Sequence, residues 1–314
     1  MPELPEVQTT VNGLNANIRG LKILDVWTDY DSKFYRGKDS IKDPAYFRHF
    51  KKAVTGATIE KVDRIAKNIL ISIKKGSVGS VILIHMKMTG HIMIGKYAFD
   101  PAGKMGTWKP APGERASLSD PYNRFIHFVI SLSNKKHVVL SDTRKFAKVT
   151  LIPESELSRT VHLADIGPDP MDKKFTLGLF KERLSSRPTG RIKNVLMDPT
   201  VIAGVGNIYS DEALWRAGIH PEEPTQNIPD ISLKILYKSL LAVLVKGIDF
   251  GGDSMSDYRN TDGERGKFQE HHKVYQRRGE RCSKPRCKGT VIRKMVGGRS
   301  AHFCDEHQKL LVNR

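Results

Sequence analysis

The chain is 314 residues long and carries 52 Lys and Arg against 34 Asp and Glu, a formal net charge of +18 with a pI near 9.7. That excess favours a polyanionic partner, nucleic acid before an anionic membrane, while 39% hydrophobic residues supply real cores and exclude a disordered chain. The longest wholly apolar run, 240–245, is six residues, too short to span a bilayer, and the first ten residues lack the basic and apolar regions of a secretion signal. A soluble intracellular protein of two domains and a small appendage is expected.

In chain order, residues 5–18 read as a helix, with Val7, Val11, Leu14 and Ile18 recurring every three or four positions. From about 20 to 152 short apolar runs bounded by turns predict strands at 21–27, 58–62, 69–73, 81–85, 91–94, 125–132, 138–141 and 147–152, with a hairpin turn at Asn134, Lys135 and Lys136. Many short strands without long intervening helices predict an antiparallel sandwich or barrel. The stretch 96–121, rich in Gly and Pro, reads as a long loop. Helical patterns follow at 176–186, 206–217 and 230–247, with Gly218 placed to end the second and Asp230 to cap the third. Residues 249–272 read as a polar loop and linker. The predicted fold class is α+β and multidomain: a β-sandwich with an N-terminal helix at 1–152, a helical domain at 153–272 and a ribbon at 273–314.

The charge is uneven. From Lys267 onward 13 Lys and Arg face 4 Asp and Glu, so half of the excess lies in the last 48 residues. All three cysteines fall there, an odd number that excludes a disulfide scaffold. Cys282-x4-Cys287, then Cys304-x2-His307, has the two-knuckle spacing of a ribbon holding one structural Zn²⁺. A segment with so few large apolar side chains needs such a staple to fold. His302, two residues before Cys304, is the rival fourth ligand, in a spacing that suits a strand better than a knuckle.

Two further features bear on chemistry. Removal of an initiator Met before Pro2 would expose a secondary amine, and α-amines, with pKa values of about 7.7 to 8.0, are partly uncharged nucleophiles near neutral pH. Such an amine can attack a sugar C1′ or an aldehyde and form an iminium. Glu3 and Glu6 stand beside it, as proton carriers or simply as carboxylates at a helix N-terminus. Gly204-Val205-Gly206 before Asn207 is not a dinucleotide fingerprint, because Tyr209 occupies the third glycine position. A glycine turn entering a helix still presents backbone N–H groups to a phosphate.

Together these motifs resemble the formamidopyrimidine-DNA glycosylase family of base-excision repair enzymes, relatives of endonuclease VIII. The resemblance runs from PELPEV at 2–7 through Lys67 in RIAKNILI, HMKMTG at 85–90, SDTRKF at 141–146, IKNVLMD at 192–198 and AGVGNIYSDEALWRAGIHP at 203–221, to GGRSAHFC at 297–304. It implies Pro2 as the Schiff-base nucleophile, Glu3 as its proton-transfer partner, Lys67 as an aid to proton transfer that also meets phosphate, and Arg299 as the ribbon arginine of the second elimination. It implies that Met88, Arg144 and Phe146 fill the hole left by an everted base; from the residues alone Met88 and Phe146 would be read as core. Lys145, Lys193 and Asn207 become phosphate or lesion contacts, and the helices around 191–222 a helix–two-turn–helix element.

GGDSMSDYRNTDG at 251–263 resembles the lesion-recognition loop of the formamidopyrimidine branch. The partner implied is double-stranded DNA carrying an oxidised purine or an abasic site, met by a cytoplasmic, nucleoid-associated monomer. The alternatives are an oxidised-pyrimidine glycosylase of the endonuclease VIII type and a catalytically silent zinc-ribbon DNA-binding protein. Several positions depart from the family pattern. The first knuckle is longer, His307 stands for a cysteine, Lys87 for a glycine, Asn123 for a histidine, Thr143 for a proline and Thr189 for a lysine, so Asn123 and the compensating Arg187 or Arg191 are the weakest expected DNA contacts.

Overall fold

Apolar spacing decides the first element. In the computed structural model, which describes residues 1–102 and 105–311, helix α1 runs Leu4–Ile18 and buries Leu4, Val7, Val11, Leu14 and Ile18 along one stripe. Pro5 sits in its first turn, where a missing N–H costs nothing. Strand β1 (Ile23–Thr28) follows, then helix α2 (Pro44–Val54), capped by Asp43, whose carboxylate accepts from Ala45 N at 3.0 Å. The apolar spacing does not indicate α2.

Strands β2 (Thr58–Ile65), β3 (Asn68–Lys75), β4 (Val78–His85) and β5 (Gly90–Gly95) come next. The stretch expected to be a loop instead carries a hairpin, β6 (Tyr97–Asp100) with β7 (Thr107–Pro110), and two 3-10 turns, Ala116–Ser119 and Pro121–Arg124. Strands β8 (Ile126–Leu132), β9 (His137–Asp142) and β10 (Lys148–Pro153) complete the β part.

Two four-stranded antiparallel sheets result, ordered β1-β8-β9-β5 and β10-β4-β3-β2. One core draws on both sheets and both helices, with Phe50, Ile59, Ile71, Ile84, Phe128 and Leu140 inside it. Residues Asn68 to Ile73 of β3 are buried on both faces, which is why that strand reads as an apolar run rather than an alternation.

The chain divides into two compact units: Met1–Ala164 with Phe250–Lys267, and Asp165–Asp249 with the residues from Phe268 onward. The segment expected to be a linker is therefore largely part of the first unit, closed at its neck by Lys267 N donating to Phe250 O at 2.8 Å.

In the second unit helices α3 (Leu177–Ser185), α4 (Ile192–Met197), α5 (Asn207–Ala217) and α6 (Asp230–Asp249) pack with a hairpin of β11 (Val291–Val296) and β12 (Arg299–Cys304). Gly218 ends α5 with φ of 72°, the left-handed conformation a glycine adopts without strain. Asp230 lies in the first turn of α6 rather than ahead of it. The α+β class, with an N-terminal β-sandwich, a helical part and a C-terminal β-hairpin bearing the Cys/His cluster, is as the pattern predicted.

Candidate active site and nucleic-acid interface

The N-terminal turn is built around two carboxylates. Glu3 and Glu6 form a reciprocal capping box: Glu3 N donates to Glu6 Oε2 at 2.7 Å, and the Glu3 side chain accepts from the Glu6 backbone. The second oxygen of Glu6 accepts from Asp253 N at 2.7 Å, and Tyr258 Oη donates to Glu6 O at 3.1 Å. Glu6, buried, is thus engaged with two backbone segments, the Pro2–Glu3 turn and the loop beyond α6, and acts by positioning them. Pro2 and Glu3 are buried beside it.

Lys67, half-buried, occupies the tight turn between β2 and β3, next to Ala66 at φ 55°. The register sets Asn68 and Lys148 on either side of His85. Burial first, then the charges of Lys87, Lys67 and Lys148, push the His85 imidazole down to about 3, so it stays neutral within a cationic group able to receive a phosphate.

Two loops of the same unit bring three side chains together. Met88 follows β4, and Arg144 and Phe146 follow β9; all three are exposed. Arg144 Nη1 lies 3.3 Å from Met88 Sδ, and its guanidinium stands 4.4 Å over the Phe146 ring. Asp142, fully buried, ties the loops: it accepts from the Thr89 hydroxyl and from Arg144 N at 3.2 Å, and its other oxygen accepts from Ala147 N at 2.7 Å. Lys145, held at φ 56°, pairs with Asp29 at 3.1 Å, and its carbonyl accepts from Lys42 Nζ at 2.6 Å. Neither Asp142 nor Lys42 stands out in the sequence; the signal available is only that Asp142 lies inside SDTRKF.

Asn123 is not placed for DNA. It is 1% exposed, its amide donates to Ser117 O at 2.8 Å and Gly263 O at 3.2 Å, and its oxygen lies 2.8 Å from His91 Nε2. Lys193 in the second unit likewise departs from the expected phosphate contact. Its side chain is wholly buried and its ammonium pairs with Asp211, whose other oxygen accepts from His302 N at 2.9 Å. A buried lysine needs that partner, so it fastens α4 to α5 and the ribbon rather than reaching solvent.

Asn207 opens α5 after Gly206, with its amide 3.5 Å from Ser300 Oγ. Arg299 is exposed beside Ser300 in sequence order along β12, just past the turn of Gly297 and Gly298, whose φ values are 53° and 77°. Asn194 Nδ2 donates to Gly297 O at 3.3 Å and anchors that turn to α4. Arg191, exposed, lies 3.7 Å from Glu222.

Cys282, Cys287, Cys304 and His307 gather with all ligand atoms within 4.8 Å of one another. A tetrahedral zinc about 2.3 Å from each sulfur needs sulfurs roughly 3.8 Å apart; the Cys287 and Cys304 sulfurs are 3.5 Å apart, and His307 Nδ1 lies 3.5 Å from Cys282 Sγ. The surroundings fit thiolates. Backbone N–H groups of Lys284, Gly289 and Glu306 point at the three sulfurs at 3.4 to 3.5 Å, and Trp215 Nε1 donates to Cys282 at 3.3 Å. His307 Nε2 donates to Trp215 O at 3.1 Å, which leaves Nδ1 for the metal. His302 belongs to Asp211 instead, so His307 is the fourth ligand of the cluster.

These arrangements can be set beside known proteins. Residues 1–149 match the formamidopyrimidine-DNA glycosylase N-terminal domain, and 166–259 match the formamidopyrimidine-DNA glycosylase H2TH domain. Curated proteins named formamidopyrimidine-DNA glycosylase from Pelotomaculum thermopropionicum and Caulobacter vibrioides are 34% and 33% identical, over 99% and 97% of this chain and 100% and 98% of theirs. The chain belongs to the formamidopyrimidine-DNA glycosylase family. Solved structures agree: a Lactococcus lactis relative bound to DNA containing an abasic site superposes with TM-score 0.79 at 31% identity, covering 98% of this chain and 99% of that one. Another, bound to DNA containing a formamidopyrimidine nucleotide, gives 0.77 at 31%. Among the described residues no helix is long and apolar enough to cross a membrane.

Proposed function

We propose that this formamidopyrimidine-DNA glycosylase relative removes oxidised purines, 8-oxoguanine and formamidopyrimidines, from duplex DNA and then cleaves the strand at the resulting abasic site. The observation that carries this reading is the exposed trio of Met88, Arg144 and Phe146, drawn from two loops that one buried carboxylate ties together. Chemistry on a base requires its removal from the stack, and an apolar wedge with a guanidinium suits the vacated space and its orphaned partner.

In this reading the Pro2 nitrogen, freed of Met1, attacks C1′ as the glycosidic bond breaks, and the base leaves with a proton relayed by Glu3. The C1′ iminium acidifies the C2′ proton; its loss expels the 3′ phosphate, and a second elimination, aided by Arg299, expels the 5′ phosphate. Lys67 holds phosphate and moves protons, Lys145 and Asn207 meet the backbone, and Glu6 fixes the turn bearing Pro2. Zinc bound by the four ribbon ligands supplies folding free energy rather than chemistry. The site of action is the chromosome, in the cytoplasm.

Borohydride trapping tests the reading. An 8-oxoguanine duplex should link covalently to the protein, Pro2→Gly should greatly reduce the adduct, and intact-mass measurement should show Met1 absent. A thymine-glycol duplex should be cleaved more slowly. Absence of an adduct with every oxidised-base or abasic duplex overturns the proposal.

A further inference from the structure

The turns at 115–122 have no part in the chemistry above, yet they converge on one target. Arg115 pairs with Asp262, and Ser117 Oγ donates to Asp262 O at 2.6 Å. At the end of the same segment, Asp120 Oδ2 accepts from Arg259 Nη2 at 3.1 Å. The Arg259 guanidinium lies 4.9 Å over the Tyr122 ring. All of these residues lie in the first unit, and they hold the loop Phe250–Lys267 at Arg259 and Asp262.

The other side of that loop is held by α1. Glu6 takes Asp253 N and Tyr258 Oη as described, and Thr261 packs against Gly13 so closely that a Cβ there would overlap its side chain. Ile94 N donates to Thr261 O at 2.8 Å from β5. Between the two grips Met255 and Ser256 are exposed, whereas Tyr258 and Arg259 are buried. A nearly buried guanidinium requires a counter-charge, because an uncompensated one must be rehydrated. For Arg259, whose side chain is 4% exposed, that counter-charge is Asp120.

We propose that the turns at 115–122 are a brace that sets the 250–267 loop in its base-reading conformation before DNA arrives, with Asp120 and Arg259 as its latch. Both are positioning residues, and base selection is left to the exposed tip around Met255 and Ser256. The inference rests on the reading of 251–263 as the lesion-recognition loop. A pre-set loop serves recognition of a base and is irrelevant to strand cleavage where the base is already gone, and this difference makes the brace testable.

The test compares the parent full chain with Asp120→Asn and with the milder Arg115→Ala, using hydrogen exchange of the DNA-free proteins and single-turnover rates on an 8-oxoguanine duplex and an abasic duplex. Amides of 255–263 should be protected in the parent and exchange at least tenfold faster in Asp120→Asn. Excision of 8-oxoguanine should slow about tenfold while abasic cleavage stays within twofold, and Arg115→Ala should move both readouts in the same direction by less. The paired exchange Arg115→Asp with Asp262→Arg should restore the protection that Arg115→Ala removes. Equal protection in parent and variants overturns the brace, as does a parallel fall of both activities or a fall in protection with excision unchanged. A parent that excises no base would instead overturn the functional reading, and the exchange measurements would still decide whether the loop is braced.

Discussion

Two histidines of the first unit are kept neutral by burial, and this has a consequence for stability. His91 is wholly buried against Asn123, and burial lowers its pKa to about 4; His85 falls to about 3. In the unfolded chain each titrates near 6.5. The unfolded state therefore binds more protons than the folded state between those values, and stability that is complete above pH 6.5 is lost as pH falls through the window. Each histidine contributes a slope approaching about 1.4 kcal/mol per pH unit there. Between pH 6.5 and 5, where most carboxylates remain ionised, the unfolding free energy from urea titration should drop accordingly. His91→Gln, which keeps a hydrogen-bonding group toward Asn123, should lessen the slope by about one proton; an unchanged slope would show that His91 is already protonated in the native state.

Among elements, the two wedge-bearing loops depend on Asp142. One carboxylate oxygen takes Thr89 and Arg144 N, the other takes Ala147 N. The first loop is tight as well, since Gly90 N donates to Met86 O at 3.1 Å and a side chain on Gly90 would strike that carbonyl. Asp142→Asn keeps one acceptor and turns the other into a donor facing a donor, so one loop is released, at a cost of about 1.5–3 kcal/mol for a charged hydrogen bond. Single-turnover excision from duplex DNA should fall roughly tenfold, about the rate equivalent of 1.4 kcal/mol. Borohydride trapping on a single-stranded abasic oligonucleotide, which has no stack to open, should be unaffected. Equal losses on both substrates would remove the wedge coupling.

The sequence discloses the elements better than these couplings. Eight of the strands and helices α1, α3, α5 and α6 announce themselves by period, whereas α2 buries only Phe50 and Val54, too thin a stripe to detect, and α4 is six residues long. Met88 and Phe146 look like core because an exposed apolar side chain has the same letter as a buried one, and only the family resemblance places them. Asn123 and Lys193 mislead for the opposite reason. Their burial depends on partners such as Gly263 and Asp211, distant in sequence, and no local pattern registers those pairings.

For the whole molecule the question is whether the +18 charge or its placement governs DNA binding. The ribbon is the place to separate them, since from Lys267 onward the chain holds half of the excess, while the buried apolar side chains described in the ribbon hairpin are few, Val291 and the small cluster of Val296, Ala301 and Phe303 among them. Such a core cannot order the hairpin without its metal ligands drawn together. Stripping the metal with a chelator leaves the lysines and arginines in the chain but frees Arg299 from its position after the glycine turn. If net charge alone binds the duplex, the salt dependence of affinity will be the same with and without metal. If placement matters, the slope of log K against log salt, measured by anisotropy between about 50 and 200 mM, should become shallower by roughly 0.9 for each phosphate that is no longer neutralised. Arg299→Ala with the metal retained should leave about one phosphate without its cation. Intrinsic fluorescence should report the same loss of metal, because Trp215 bonds both Cys282 and His307. A metal-free protein whose fluorescence has shifted but whose salt slope has not would show that the ribbon binds DNA as an unstructured basic tail.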